Sequence, residues 1–134
     1  MIFQKNDVEI QRFDAVRQFL EVPSRLPKKF NGNVTSYVGH EFEKFLQYVL
    51  GGIGPFKVGG REFDGAFGSR WYEAKSGNYW KTQSTEKFQS DICHHLKIAE
   101  ANGATLEVFS NTPIPKKVKK WLSQKKIKFT EFLE

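Results

Sequence analysis

Apolar residues recur along this chain with periods of three to four in some stretches and of two in others, which sets helices among strands. Phe13, Val16 and Leu20 share one face of a helix over about residues 6–20, opened by Asn6 and Glu9 in capping-box spacing. A second helix, over about 35–50, carries Val38, Phe42, Phe45, Leu46 and Val49 and stops at Gly51-Gly52. Phe56-Lys-Val58 reads as a short strand, followed by hairpin strands at 61–67 and 70–76. A third helix, over about 85–101, has Phe88, Ile92, Leu96 and Ala99 as its stripe and ends at Asn102-Gly103. Residues 105–110, with Leu106, Val108 and Phe109, read as a buried strand. Thr112-Pro113 opens a further helix with Ile114, Val118, Trp121 and Leu122 on one side, and 127–132 make a last strand. The order α-α-β-β-β-α-β-α-β predicts an α/β (α+β) fold with a mixed central sheet flanked by helices.

The hairpin carries the candidate chemistry. Gly68-Ser69 is a two-residue loop with glycine where a type II′ turn needs positive φ. Folding about it pairs Phe67 with Arg70, Gly65 with Tyr72, Asp64 with Glu73 and Glu62 with Lys75. Alternation then puts Glu62, Asp64, Glu73 and Lys75 on one face and Phe63, Phe67, Tyr72 and Ala74 on the other. Opposed carboxylates about 5 Å apart at Cβ repel, and a divalent cation between them would remove the repulsion. The same charges also suit a solvated hairpin face balanced by Arg61, Arg70 and Lys75. The apolar second face, and Trp71 beside the acidic one, argue for a cleft wall.

At 134 residues with 13 Phe, the chain (1–134) predicts a single domain with its own core rather than disorder. No apolar run reaches membrane-spanning length and no signal-peptide pattern opens the chain, so no membrane insertion by this domain is expected. Cys93 is the single cysteine, expected as a buried, inert thiol on the third helix. The formal net charge is +6, and residues 116–128 hold seven lysines and no acid. That concentration suits a polyanionic partner, nucleic acid or an acidic protein, as well as a solvated helix face. His94 and His95 point about 100° apart on a helix and cannot easily share a metal, so no structural zinc site is expected. His40 reads as exposed or at a cleft edge. Lys87 and Gln89 lie off their helix's stripe and suit either substrate contact or a solvated face. Tyr79 and Trp80, followed by Lys81, suit stacking on an unpaired base or packing beside the cleft.

Gly39-His-Glu-Phe-Glu43, Phe63-Asp64-Gly65 and Tyr72-Glu-Ala-Lys-Ser-Gly77, set on a helix and a meander followed by a crossover helix and a strand, resemble the PD-(D/E)XK nuclease superfamily. More narrowly, Glu62-Phe-Asp-Gly65, Trp71-Tyr-Glu-Ala-Lys-Ser-Gly77 and the run from Leu96 to Pro115 resemble C-terminal toxin domains of bacterial contact-dependent growth inhibition and polymorphic-toxin systems. The resemblance implies a restriction-endonuclease-like αβββαβ core, with an N-terminal helix and a C-terminal α-β extension. It implies a metal-dependent endonuclease in which Asp64 and Glu73 hold Mg²⁺ or Mn²⁺, rather than Zn²⁺, with the Ala74 carbonyl. Glu43, with Glu41 as the alternative, joins from the helix, and Lys75 orients water or offsets transition-state charge. Lys87, Gln89, Trp80, Lys116, Lys117 and Lys120 are the candidate substrate contacts. The implied substrate is tRNA ahead of DNA, because a small domain without an obvious dimerisation element suits compact RNA. The implied setting is export within a larger cell-surface protein, delivery to a target-cell cytoplasm, and a monomer apart from a cognate immunity protein. A non-catalytic nucleic-acid-binding or protein-interaction module is the competing class. The superfamily's Pro before its first Asp is here Phe63.

Overall fold

Thr105–Ser110, the strand β6, is buried at every position after Thr105, which requires cover on both faces of its sheet. In the computed structural model, which describes residues 10–11 and 33–133, helices supply that cover. The main sheet has the order β1-β7-β6-β5-β4, with β1 at Ile10–Gln11, β4 at Gly65–Phe67, β5 at Arg70–Lys75 and β7 at Lys128–Phe132. β5, β6, β7 and β1 run parallel, and β4 returns antiparallel along the β5 edge. A second, two-stranded sheet pairs β2 (Phe56–Val58) with β3 (Arg61–Phe63). The fold class is therefore α/β with a mixed sheet, as the element order implies.

Alternation along the strands divides the core in two. Leu106, Val108 and Phe129 face one side, with Phe88, Ile92 and Ala99 of α3 (Thr85–Ala101) and Val118 and Leu122 of α4 (Lys116–Gln124). Tyr72, Phe109 and Phe132 face the other, with Phe42, Phe45, Leu46 and Val49 of α1 (His40–Leu50). Both crossovers from one parallel strand to the next thus pass over one face, and α1 closes the opposite face.

Several expectations are corrected. The helix anticipated over 6–20 is not what Ile10–Gln11 adopt, since they pair in parallel with Glu131 and Phe132; the rest of that span lies outside the described residues. The second helix begins at His40 rather than near Thr35. Gly39, at φ +61°, sets it off from a 3-10 turn at Val34–Ser36, and the lost phase leaves Val38 57% exposed instead of on the stripe. α4 begins at Lys116, three residues past Pro113, because Ile114 precedes Pro115 and is steered away from helical backbone. A single helical turn, α2 (Tyr79–Thr82), was not anticipated. Cys93 is half-buried rather than buried.

The hairpin register at 65–72, 66–71 and 67–70 is as the loop predicts, and only Gly68 of its two loop residues has positive φ. The strand expected over 61–67 is broken at Asp64. Glu62 pairs with Lys57 instead of Lys75, and Phe63 turns onto the Trp71 side, stacked edge-on with centroids 4.9 Å apart. Gly65 sits opposite Tyr72, and a Cβ there would collide with the Tyr72 hydroxyl and ring. Gly65→Ala is expected to cost about 1–3 kcal/mol, read from denaturant midpoints, because the buried Tyr72 has no free space to yield.

Candidate active site

The break at Asp64 builds the site. Its main-chain N–H still donates to the Tyr72 carbonyl at 3.1 Å, but the next ladder position is filled by its side chain. Asp64 Oδ2 accepts the Ala74 N–H at 2.7 Å, so the carboxylate bridges the two bonds on either side of Glu73. The chain passes there from the β2-β3 pair into the main sheet, which leaves Asp64 at the junction beside β5. Glu73 and Lys75 project on the Trp71 side of β5, toward α3.

Glu73 is buried, and its Oε2 has no hydrogen-bond partner. Lys75 Nζ stands 3.7 Å from Oε1 and 4.4 Å from the Tyr79 ring centroid, so its ammonium is held between a carboxylate and an aromatic face. His95 Nε2 lies 3.5 Å from Glu73 Oε2 but is bonded to the Glu62 carbonyl at 2.9 Å, while Nδ1 meets the Asp91 carbonyl at 2.7 Å. Both ring nitrogens of His95 thus face main-chain carbonyl oxygens, one on α3 and one on β3, which fixes the ring beside Glu73. Glu43 arrives from α1, half-buried, with His40 Nδ1 at 3.2 Å from its Oε1.

Three carboxylates in so confined a space resist ionisation together. Burial and then the Asp64 charge push Glu73 up to about 8, with Lys75 opposing. Burial raises Asp64 as well, against the Ala74 N–H and the Lys75 charge, and burial and Asp64 raise Glu43. Burial, joined by the charges of Asp64 and Glu43, holds the Tyr72 phenol well above its ordinary range. The chemistry fits a hard divalent cation, which would satisfy the orphaned Glu73 oxygen and reverse the mutual repulsion. Among the described residues no group of three or more His, Cys, Asp or Glu is arranged as a metal-holding cluster. Two carboxylates with solvent and substrate oxygens would make up such a shell.

The structure brings Glu43, Asp64, Glu73 and Lys75 together, while Glu41 is exposed and its charge bears on Tyr37. Trp80 is half-buried against Phe88 and donates its indole N–H to Ser110 Oγ at 2.9 Å, a packing arrangement. Lys87 is exposed and paired with Asp91 at 3.1 Å, and Gln89 is half-buried on the same helix. Lys116, Lys117 and Lys120 are exposed on α4; Lys119, between them, reaches the buried Glu131 at 3.1 Å. His95 was missed as a site residue. Its spacing with Phe88, Ile92 and Ala99 was the available signal, since those positions repeat at four, three and four and place a histidine on the buried stripe.

Because folded Glu73 keeps its proton to about pH 8 and an unfolded glutamate loses it near 4.5, the folded state binds more protons between those values. Stability of the metal-free protein should therefore fall as pH rises through that window, on the order of a few kcal/mol. Asp64 and Glu43 act in the same direction. Thermal midpoints in EDTA should show the decline, Glu73→Gln should flatten it, and Mn²⁺ at pH 8 should raise the wild-type midpoint. Comparison of the chain with protein-family models, with curated proteins and with solved structures finds no match, so the site is interpreted from its own geometry.

Proposed function

We propose that this protein is a metal-dependent endonuclease that hydrolyses phosphodiester bonds, with tRNA favoured over DNA. The observation that carries the reading is the convergence of Glu43, Asp64 and Glu73 with Lys75 where β3 gives way to the main sheet beside β5. A binding module has no use for three mutually repelling carboxylates in a site meant to meet phosphate. An enzyme that brings a cation to a phosphate does.

Asp64 and Glu73 would hold Mg²⁺ or Mn²⁺, with Glu43 contributing from α1. When bound, such an ion supplies charge against the scissile phosphate and makes a water more acidic. Asp64 is held ready by the Ala74 N–H, so its carboxylate needs no reorganisation on binding. Lys75, fixed over Tyr79, directs its ammonium at a phosphate oxygen or the attacking water. His95 stands beside Glu73 on the α3 side and ties α3 to β3 through the Glu62 carbonyl. The exposed lysines of α4 would draw the polyanion in. Among the described residues the exposed large hydrophobics are Val38 and Ile53. The sequence resemblance alone supports the toxin setting, with an immunity protein as the cognate partner.

Purified protein incubated with total tRNA and with plasmid DNA should cleave one of them with Mg²⁺ or Mn²⁺ and neither with EDTA. Asp64→Ala and Lys75→Ala should each lower the rate by about 10²–10³-fold. Binding without cleavage by the wild type would move the assignment to a binding module. Replacing Lys116, Lys117 and Lys120 with alanine should weaken nucleic-acid binding and reduce its salt dependence; Lys119 is left in place because it neutralises Glu131. Unchanged binding across salt would assign those lysines to solvent or to a protein partner.

A further inference from the structure

α1 has two working faces. Phe42, Phe45, Leu46 and Val49 are buried against the sheet, whereas His40, Glu43, Lys44 and Gln47, spaced at three, one and three residues, share the opposite side. With Pro55 they line an open pocket of roughly 380 Å³. Glu43 belongs both to this pocket and to the carboxylate cluster, so the two spaces adjoin. Its other groups have no evident part in holding the fold: the His40 side chain is 89% exposed, and Lys44 and Gln47 are exposed on the helix. Ile53, 54% exposed, lies two residues before Pro55, and Gln47 Oε1 lies close to Gly54 between them.

We propose that this pocket is a nucleotide subsite, taking the base and sugar adjacent to the scissile phosphate. The volume is of the size that takes a small organic ligand. A base needs flat or apolar surface for its faces and a donor–acceptor pair for its edge. Pro55 provides the first, and the Gln47 amide provides the second. Lys44 supplies a cation for a phosphate, one helical position from the Glu43 carboxylate. That alternation sets an orientation: phosphate toward Lys44 and the catalytic cluster, base toward Gln47 and Pro55. Which nucleotide of a chain occupies the pocket rests on the nuclease reading; whether a nucleotide binds there does not.

Mononucleotides contain no phosphodiester bond, so they test the subsite apart from catalysis. The wild-type protein and a Lys44→Ala/Gln47→Ala double variant are titrated with the common ribonucleoside 5′-monophosphates and with inorganic phosphate, in Mg²⁺, by calorimetry. Matched thermal midpoints establish that the variant is folded. A mononucleotide should bind about tenfold tighter than phosphate, and the double variant should lose about tenfold in that affinity. Equal affinity for phosphate and mononucleotide, or no loss in the variant, overturns the proposal. In the cleavage assay the same variant should raise KM more than it lowers kcat and relax preference for the flanking nucleotide. Mononucleotide binding that the variant loses, in a wild type that cleaves nothing, would keep the subsite and remove the nuclease. Cleavage with unchanged binding and selectivity in the variant would keep the nuclease and remove the subsite.

Discussion

Where the chain passes from the β2-β3 pair into the main sheet, the Asp64 carboxylate takes the place of a main-chain carbonyl by accepting the Ala74 N–H. The arrangement of the site depends on that bond. It satisfies an amide that the break at Asp64 would otherwise leave unpaired, and it fixes an anion beside Glu73 without any loop to hold it. It also lets the chain turn, so that Phe63 packs on Trp71 and Phe56 while Tyr72, next along, packs on Phe109 in the other half of the core. A buried amide must find a partner, and here the partner carries charge.

That charge has to be tolerated by everything around it. Glu73 lies where solvent is excluded, and the neighbouring carboxylates raise one another's affinity for protons. Lys75, His95 and the Ala74 N–H are arranged around the cluster but leave one buried Glu73 oxygen unbonded. Without a metal, Glu73 relieves the repulsion by keeping its proton; on the proposed reading a cation would take that proton's place, and lower stability of the empty state at high pH is the expected cost. Elsewhere buried carboxylates have closer partners: Arg70 forms two bonds to Glu107, and Glu131 accepts the Ile114 N–H and faces Lys119 at 3.1 Å.

The central part of this architecture was legible in the sequence. Apolar periodicity placed α3 and β6 at their observed bounds, and Gly68-Ser69 determined the turn and its register as far as Gly65 and Tyr72. These are local effects, set by side-chain alternation and by which residues tolerate positive φ. The shared neighbourhood of Asp64 and Glu73 followed from the same register.

The break at Asp64 did not follow, because alternation within one strand cannot reveal that its first half pairs with a different partner. Nor did the burial of His95 against Glu73, or the pocket shared by α1 and Pro55, since both join residues from separate elements. Gly39 shows the limit from the other side. Its neighbours continue a helical pattern, but one positive φ resets the phase and leaves Val38 in solvent. Sequence alone determined which residues can form each element and which carboxylates share the hairpin. Tertiary structure decided which amide each carboxylate serves and how much water reaches it, because hydrogen-bond pairing and desolvation are properties of packed neighbours and not of the chain.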